Sequence, residues 1–312
     1  MSNQAPDASH SAPAPLPIVQ SIPHAGFGVP IEVVKSLALS ERDIYNDCDL
    51  WADQHYDFAH PELAGADGPA RGALAVVTTD IARALVDVNR KPDDLKNPDG
   101  MVKSLSSYGV PTYTGELSRP EILTLRARYY QPYHRRMEAA LATYAGRTLL
   151  LLDCHNMAQR SPDAYAHAGK ARPLICLANL GDSSGERKRG GTAVTCAPHL
   201  LRAAGEIAEA LFADMTLLEP DGPVPVVGLN QPFPGGYIIR RYTRGQPHAS
   251  PIATAPGAIM IEVNRGLFVG NQSATAPVAA PNPARIAAVR ARLYSWAVQV
   301  AELFSLAAAD AG

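Results

Sequence analysis

The stretch Leu149-Leu150-Leu151-Leu152-Asp153-Cys154-His155-Asn156 decides the fold: four leucines run straight into an acid, a thiol, an imidazole and an amide. An apolar run of this length with a polar end reads as a strand buried on both faces, as in a sheet covered by helices on each side. In open α/β sheets ligands bind just beyond the carboxyl ends of such strands, which puts His155 where chemistry is usually placed. Two more segments repeat the arrangement. Ile18-Val19-Gln20-Ser21-Ile22 leads into Pro23-His24-Ala25-Gly26, and Ala258-Ile259-Met260-Ile261 ends on Glu262. Two histidines and a glutamate at three strand ends point to a hydrolytic metal site.

Outward from these strands, helices and strands alternate. The sequence predicts a helix over Cys48–Ala59, strands over Ala73–Thr79 and Ala84–Val88, and a polar loop through Pro92, Asn97, Pro98, Asp99 and Gly100. Ser118-Arg119-Pro120-Glu121 is a capping box with proline in the first turn, opening a long helix that ends at Gly146. A strand over Pro173–Leu180, a helix over Ala197–Met215, a loop over Pro220–Gly236 and a terminal helix over Pro283–Ala308 complete the pattern. The order defines an α/β fold, a three-layer sandwich with a mostly parallel or mixed central sheet. Residues 1–17, rich in Ala, Pro and Ser, read as a disordered tail without the basic start or apolar core of a signal peptide, and 18–312 as a single domain.

Composition excludes several classes. With 312 residues, 46% of them hydrophobic, the chain can bury a large core. A net charge of −2 argues against nucleic-acid binding, which needs an excess of Lys and Arg. No apolar stretch approaches the roughly 20 residues of a membrane helix, so the expected location is cytoplasmic and the expected partner a small molecule. Cys48, Cys154, Cys176 and Cys196 form no C-x-x-C pair and read as buried thiols, although Cys48 and Cys154 adjoin candidate site residues and keep a nucleophilic thiol in view. The basic loop Gly185–Gly191 lacks the Gly-Lys-Ser/Thr ending of a phosphate loop and reads as solvated.

A catalytic zinc takes three His, Asp or Glu ligands and keeps one position open for water. His24 and His155 supply two. The third falls to Asp47 or Asp49 in Asn46-Asp47-Cys48-Asp49, where acids at a helix start also act as caps. Glu262, after an apolar run, is placed to have its pKa raised by burial and to shuttle a proton, or alternatively to pair with Arg265 or Arg240. Arg90 and Arg240 are candidate forks for a substrate carboxylate, and Asn89, Gly235 and Gly236 beside them point to a constricted site. His134, after Tyr129, Tyr130 and Tyr133, is read either as core or as a substrate hydrogen-bonding residue. Asp153, two residues before His155, would share its face if the strand continued that far, and could orient the imidazole.

Ser-Ile-Pro-His24-Ala-Gly, Asp47-Cys-Asp49-Leu-Trp, Val-Asp87-Val-Asn89-Arg90, Tyr130-Gln-Pro132-Tyr133-His134, Leu-Asp153-Cys-His155-Asn156-Met, Gly235-Gly236-Tyr-Ile-Ile-Arg240 and Ile-Glu262-Val-Asn264-Arg265 follow one another along the chain. In this order they resemble the motifs of the N-formylglutamate amidohydrolase (N-formylglutamate deformylase) family, from about Ile18 to Phe268. The resemblance implies a fold similar to zinc exopeptidases and phosphorylase/hydrolase-like proteins. It also implies one zinc ion per chain and hydrolysis of a small acidic N-acyl amino acid, N-formyl-L-glutamate above all, a step of histidine degradation in the best-known members. Carried over by position, His24, Asp49 and His155 would bind zinc, with Asp49 preferred to Asp47. Glu262 would be the catalytic carboxylate, and His134, on the reading of its own surroundings, is the second catalytic candidate. Asn89, Arg90, Asn156, Gly235, Gly236, Arg240 and Arg265, which lie in these motifs, are the residues expected to line the substrate site. The rival expectations are a zinc amidase for another acyl amino acid or a cell-wall peptide, and a small-molecule binding protein without metal.

Overall fold

A computed structural model describes residues 13–310 apart from 66–67, 94–96, 164, 166, 221, 247–248, 252–254, 256 and 271–274. The elements follow as β1 (Leu16–Ile22), α1 (Glu41–Asp47), α2 (Ala52–His55), β2 (Ala73–Thr78), α3 (Arg119–Leu125), α4 (Gln131–Thr143), β3 (Leu150–Met157), β4 (Ile175–Ala178), α5 (Pro198–Phe212), β5 (Leu218–Glu219), β6 (Gly222–Pro223), β7 (Val227–Leu229), α6 (Tyr237–Tyr242), β8 (Ala258–Asn264) and α7 (Pro283–Asp310). Six strands form one sheet in the order β2-β1-β3-β8-β4-β7, and β5 and β6 form a separate hairpin. All neighbours in the large sheet are parallel except β8 and β4.

Alternation along the central strands sorts their side chains into two cores. Ile18, Ile22, Leu150, Leu152, Ile259 and Ile261 pack with residues of α2, α5 and α7. Val19, Leu151, Ala258 and Met260 face the other way, against residues 82–88, α4 and α6. The sheet is thus the middle of three layers, and its central strands are apolar throughout because helices or loops cover both faces. Among the described residues no helix is long and apolar enough to cross a membrane.

Several expectations give way to local geometry. Of the predicted helix over Cys48–Ala59 only the single turn α2 forms; α1, which was not foreseen, precedes it and ends at Asp47, and the chain between them is broken at Cys48–Trp51, with Trp51 in the left-handed region at φ 55°. Residues 84–88 are no strand but a buried turn, closed by Leu85 N and Val86 N donating to Ala82 O. The long helix does start at the Ser118 capping box, where Glu121 Oε2 accepts from Ser118 N at 2.7 Å. It widens into a π-turn over Arg126–Tyr130 just before Pro132, which has no N–H to offer the preceding turn. The Pro220–Gly236 loop contains an edge strand, β7, and α6 follows it without having been foreseen. Leu16 and Pro17, assigned to the tail, begin β1, while residues 1–12 lie outside the described residues.

Candidate active site

β3 runs on through His155 to Met157, so Asp153 and His155 are in-strand residues on one face, and in register Ser21 sits beside Asp153 and Glu262 beside His155. His24 follows β1. Asp49 arrives from the break between α1 and α2, where its backbone N donates to His24 O at 2.9 Å. Both Arg265 amino groups hold that break by donating to the carbonyls of Asn46 and Cys48.

Three donor atoms converge there. His24 Nδ1 lies 3.1 Å from His155 Nδ1, and Asp49 Oδ2 lies 3.0 Å from His155 Nδ1 and 3.4 Å from His24 Nδ1. All three side chains are buried. The other ring nitrogens already have partners: His24 Nε2 is 2.8 Å from Asp87 Oδ1, and His155 Nε2 is 3.1 Å from Asp153 Oδ2. A carboxylate can only accept, so each Nε2 carries the hydrogen and each Nδ1 turns a lone pair toward the other and toward Asp49. Such a set is mutually repulsive until a proton or a cation sits among the three atoms. Ligand atoms around a four-coordinate ion with bonds of about 2.0–2.1 Å stand about 3.3 Å apart, close to the separations here, and two nitrogens with one oxygen suit a divalent metal.

The electrostatics agree. Burial alone would lift the Asp49 carboxyl, but with a proton among the three atoms His155 and His24 hydrogen-bond to it and hold it well below the usual carboxylate range. Burial opposes charge on His155, yet Asp153 and Asp49 outweigh it and raise the imidazole well above its ordinary value. Glu262 is pushed up to about 7, chiefly by burial, with His155 acting against and Asp49 adding to the shift.

These groups line a cavity of about 140 Å³ that also takes in Asn46, Asp47, Asn89, Arg90, Asn156, Gly235, Gly236 and Arg265. Asp49, not Asp47, stands beside the histidines, while Asp47 uses Oδ1 to accept from Ser107 N at 3.2 Å. Asn89 is a tie within the wall: Oδ1 accepts from Ile238 N at 2.8 Å and Nδ2 donates to Asp153 Oδ2 at 3.3 Å, the same carboxylate oxygen that accepts from His155 Nε2. Asn156 donates to Leu50 O at 2.7 Å. Gly236 is required by close approach, since a Cβ there would stand 2.5 Å from the Asn89 amide.

Two predicted residues fall elsewhere. Arg240 lines a neighbouring cleft shared with Arg90, Gly235 and Gly236, and bonds Thr192 Oγ1 at 3.2 Å. His134 lies behind the site, with Nδ1 2.7 Å from Tyr242 OH and Nε2 donating to Val88 O at 3.0 Å. Burial and Arg241 lower its pKa to about 3, so it is neutral and steadies the Asp87–Arg90 segment through Val88. Sequence reasoning passed over Arg83 and Arg172, which line the cavity. Arg83 stands 3.6 Å from Asp49 Oδ1 and 3.4 Å from Asp87 Oδ2, and Arg172 stacks on Phe233 at 4.8 Å. A lone cation in the apolar run Ile81–Val88 was the available signal for Arg83. The thiols of Cys48, Cys176 and Cys196 are each raised to about 12 by burial, and that of Cys154 also rises, so none is a ready nucleophile.

A mixed sheet between helical layers, with a buried His/Asp/His set and a raised carboxyl inside an arginine-lined cavity, suits the chemistry of an amidohydrolase. The chain belongs to the N-formylglutamate amidohydrolase family, whose model matches residues 16–269. The fold is similar to that of a solved N-formylglutamate amidohydrolase from Ralstonia eutropha JMP134, with 20% identity, a TM-score of 0.63, and coverage of 95% of this chain and 96% of that one. A gene product from Agrobacterium tumefaciens is similar over 92% of this chain and 91% of its own, with 19% identity and a TM-score of 0.57. No curated protein matches the chain.

Proposed function

We propose that the protein is a zinc-dependent hydrolase of N-formyl-L-glutamate, releasing L-glutamate and formate. The observation that carries this reading is the convergence of His24 Nδ1, His155 Nδ1 and Asp49 Oδ2 beside Glu262 in a cavity walled by arginines. Bound by those three atoms, zinc would supply a Lewis acid that polarises the formyl carbonyl and acidifies a water at neutral pH. Asp87 and Asp153 fix the tautomers of the two histidines so that both Nδ1 lone pairs face inward.

Glu262, held near neutrality by burial, accepts the proton of the attacking water and returns it to the nitrogen as the C–N bond breaks. Two carboxylates on the substrate need guanidinium forks, and Arg83, Arg90, Arg172 and Arg265 line the cavity that would take them. Arg172 is the foremost candidate. It is buried and its Nε has no hydrogen-bond partner among the described residues, a cost that a bound carboxylate would remove.

Purified, zinc-loaded protein is expected to release formate from N-formyl-L-glutamate faster than from N-acetyl-L-glutamate or N-formyl-L-leucine, and to stop when zinc is chelated. Absence of formate release, or turnover indifferent to chelation, would overturn the reading.

A further inference from the structure

Behind the site lies a cation that the chemistry above does not use. Lys103 is fully buried and is not among the residues that line the active cavity. Its Nζ stands 2.8 Å from Asp99 Oδ1 and 3.4 Å from Asp87 Oδ2. Each of those carboxylates reaches forward with its other oxygen. Asp99 Oδ2 accepts from Arg90 Nη2 at 2.8 Å, and the Asp99 carbonyl accepts from Arg90 Nε at 3.0 Å. Asp87 Oδ1 lies 2.8 Å from His24 Nε2. One buried ammonium therefore touches the partner of a cavity arginine and the partner of a metal-facing histidine.

We propose that Lys103 is a positioning residue that sets Arg90 and His24 together, by clamping Asp99 and Asp87 to a single buried cation. The substrate half of this proposal rests on the function proposed above, whereas the His24 half needs only the metal-facing geometry.

The two arms differ in what remains when the ammonium is removed. Asp87 keeps Arg83 and Arg90 within 3.4–3.6 Å and stays buried, so His24 retains an ionised partner. Asp99 is 42% exposed and, among the described residues, keeps Arg90 as its charged partner, so water competes for it and the Arg90 fork loosens. The substrate arm should suffer more than the metal arm.

The test is Lys103→Met in the full chain, with metal affinity read by Zn²⁺ competition against a chelator and kinetics read on N-formyl-L-glutamate. KM should rise about tenfold, the size of one charge-assisted contact. Zn²⁺ affinity should fall less than the roughly ten- to a hundredfold typical of losing a direct partner of a liganding histidine. kcat should stay within about threefold, a split that loss of folded fraction alone does not produce, since that lowers kcat and leaves KM unchanged. KM and Zn²⁺ affinity both equal to the parent's would overturn the proposal.

Should Lys103→Met fail to fold, Lys103→Gln, which removes the charge and keeps a polar head, is read in the same two assays. A KM rise larger than the loss of Zn²⁺ affinity supports the proposal, and KM and Zn²⁺ affinity both equal to the parent's overturn it. If the parent releases no formate from N-formyl-L-glutamate, the functional reading fails by itself. The Zn²⁺ titration then decides on Lys103, an unaltered affinity counting against it.

Discussion

At His24 and His155 the nitrogen that faces the cavity is chosen by what the other nitrogen touches, so Asp87 and Asp153 belong to the site as fully as the imidazoles do. Glu262 is the residue whose role is most easily separated from packing. Glu262→Gln keeps shape and removes the proton acceptor, so kcat should fall by two orders of magnitude or more while zinc stays bound, and near-normal kcat in the zinc-loaded variant would exclude the shuttle. In the parent the basic form is needed and a bound cation would favour it, so kcat/KM should climb with pH through a value below the about 7 that burial sets in the metal-free protein. Stability runs the other way in the metal-free protein. A carboxyl raised from 4.5 to about 7 favours the fold fully below pH 4.5, and that contribution, about 3 kcal/mol at most, is lost as pH rises through 7. Glu262→Gln should flatten this part of the pH dependence of Tm, and an unaltered slope would assign it elsewhere. Among the arginines, Arg172→Lys should raise KM roughly ten- to a hundredfold, because a bidentate contact to a carboxylate is worth about 1.5–3 kcal/mol. Arg240→Lys, outside the active cavity, should change KM much less, and the opposite ranking would move the carboxylate site to the neighbouring cleft.

At the scale of elements, the site is made where regular structure is interrupted or prolonged. β3 continues past its leucines far enough to put Asp153 and His155 on one face, and α1 stops early enough to free Asp49. α6 is capped by Gly236, whose missing side chain lets the helix entry press against Asn89, the residue that ties Asp153 to Ile238 N. Gly236→Ala would put its Cβ within 2.5–2.8 Å of the Asn89 amide. The backbone at Gly236, with φ −111°, accepts alanine, so the variant should fold, yet it should lose at least about tenfold in kcat/KM because the wall of the site shifts. Activity within twofold of the parent would show that Asn89 can move without consequence. The capping box at Ser118 was legible because its chemistry is local to four residues. The break between α1 and α2 was not, because Asn46–Asp49 is held open by Arg265, more than two hundred positions away.

Over the whole molecule, the two apolar cores that flank the sheet are built without His24, Asp49 and His155, so the fold should not depend on the proposed zinc. Removing zinc is expected to lower Tm without unfolding the protein at room temperature, and restoring it at a hundred times Kd should return about 2.7 kcal/mol of stability. Unfolding on chelation would make the ion part of the core. By itself the sequence determined the α/β class, the buried strands β1, β3 and β8, and the polar residues that follow their apolar runs, His24, His155 and Glu262. Periodicity and the abrupt passage from apolar to polar are encoded in adjacent positions. Only the tertiary structure decided that β4 runs against β8, that Arg83 and Arg172 reach the cavity, that Arg240 falls in the next cleft, and that His134 turns to Tyr242 and Val88. Those outcomes depend on how loops return and which helix face meets the sheet. They are settled by packing among residues far apart in the chain, where no local spacing carries the information.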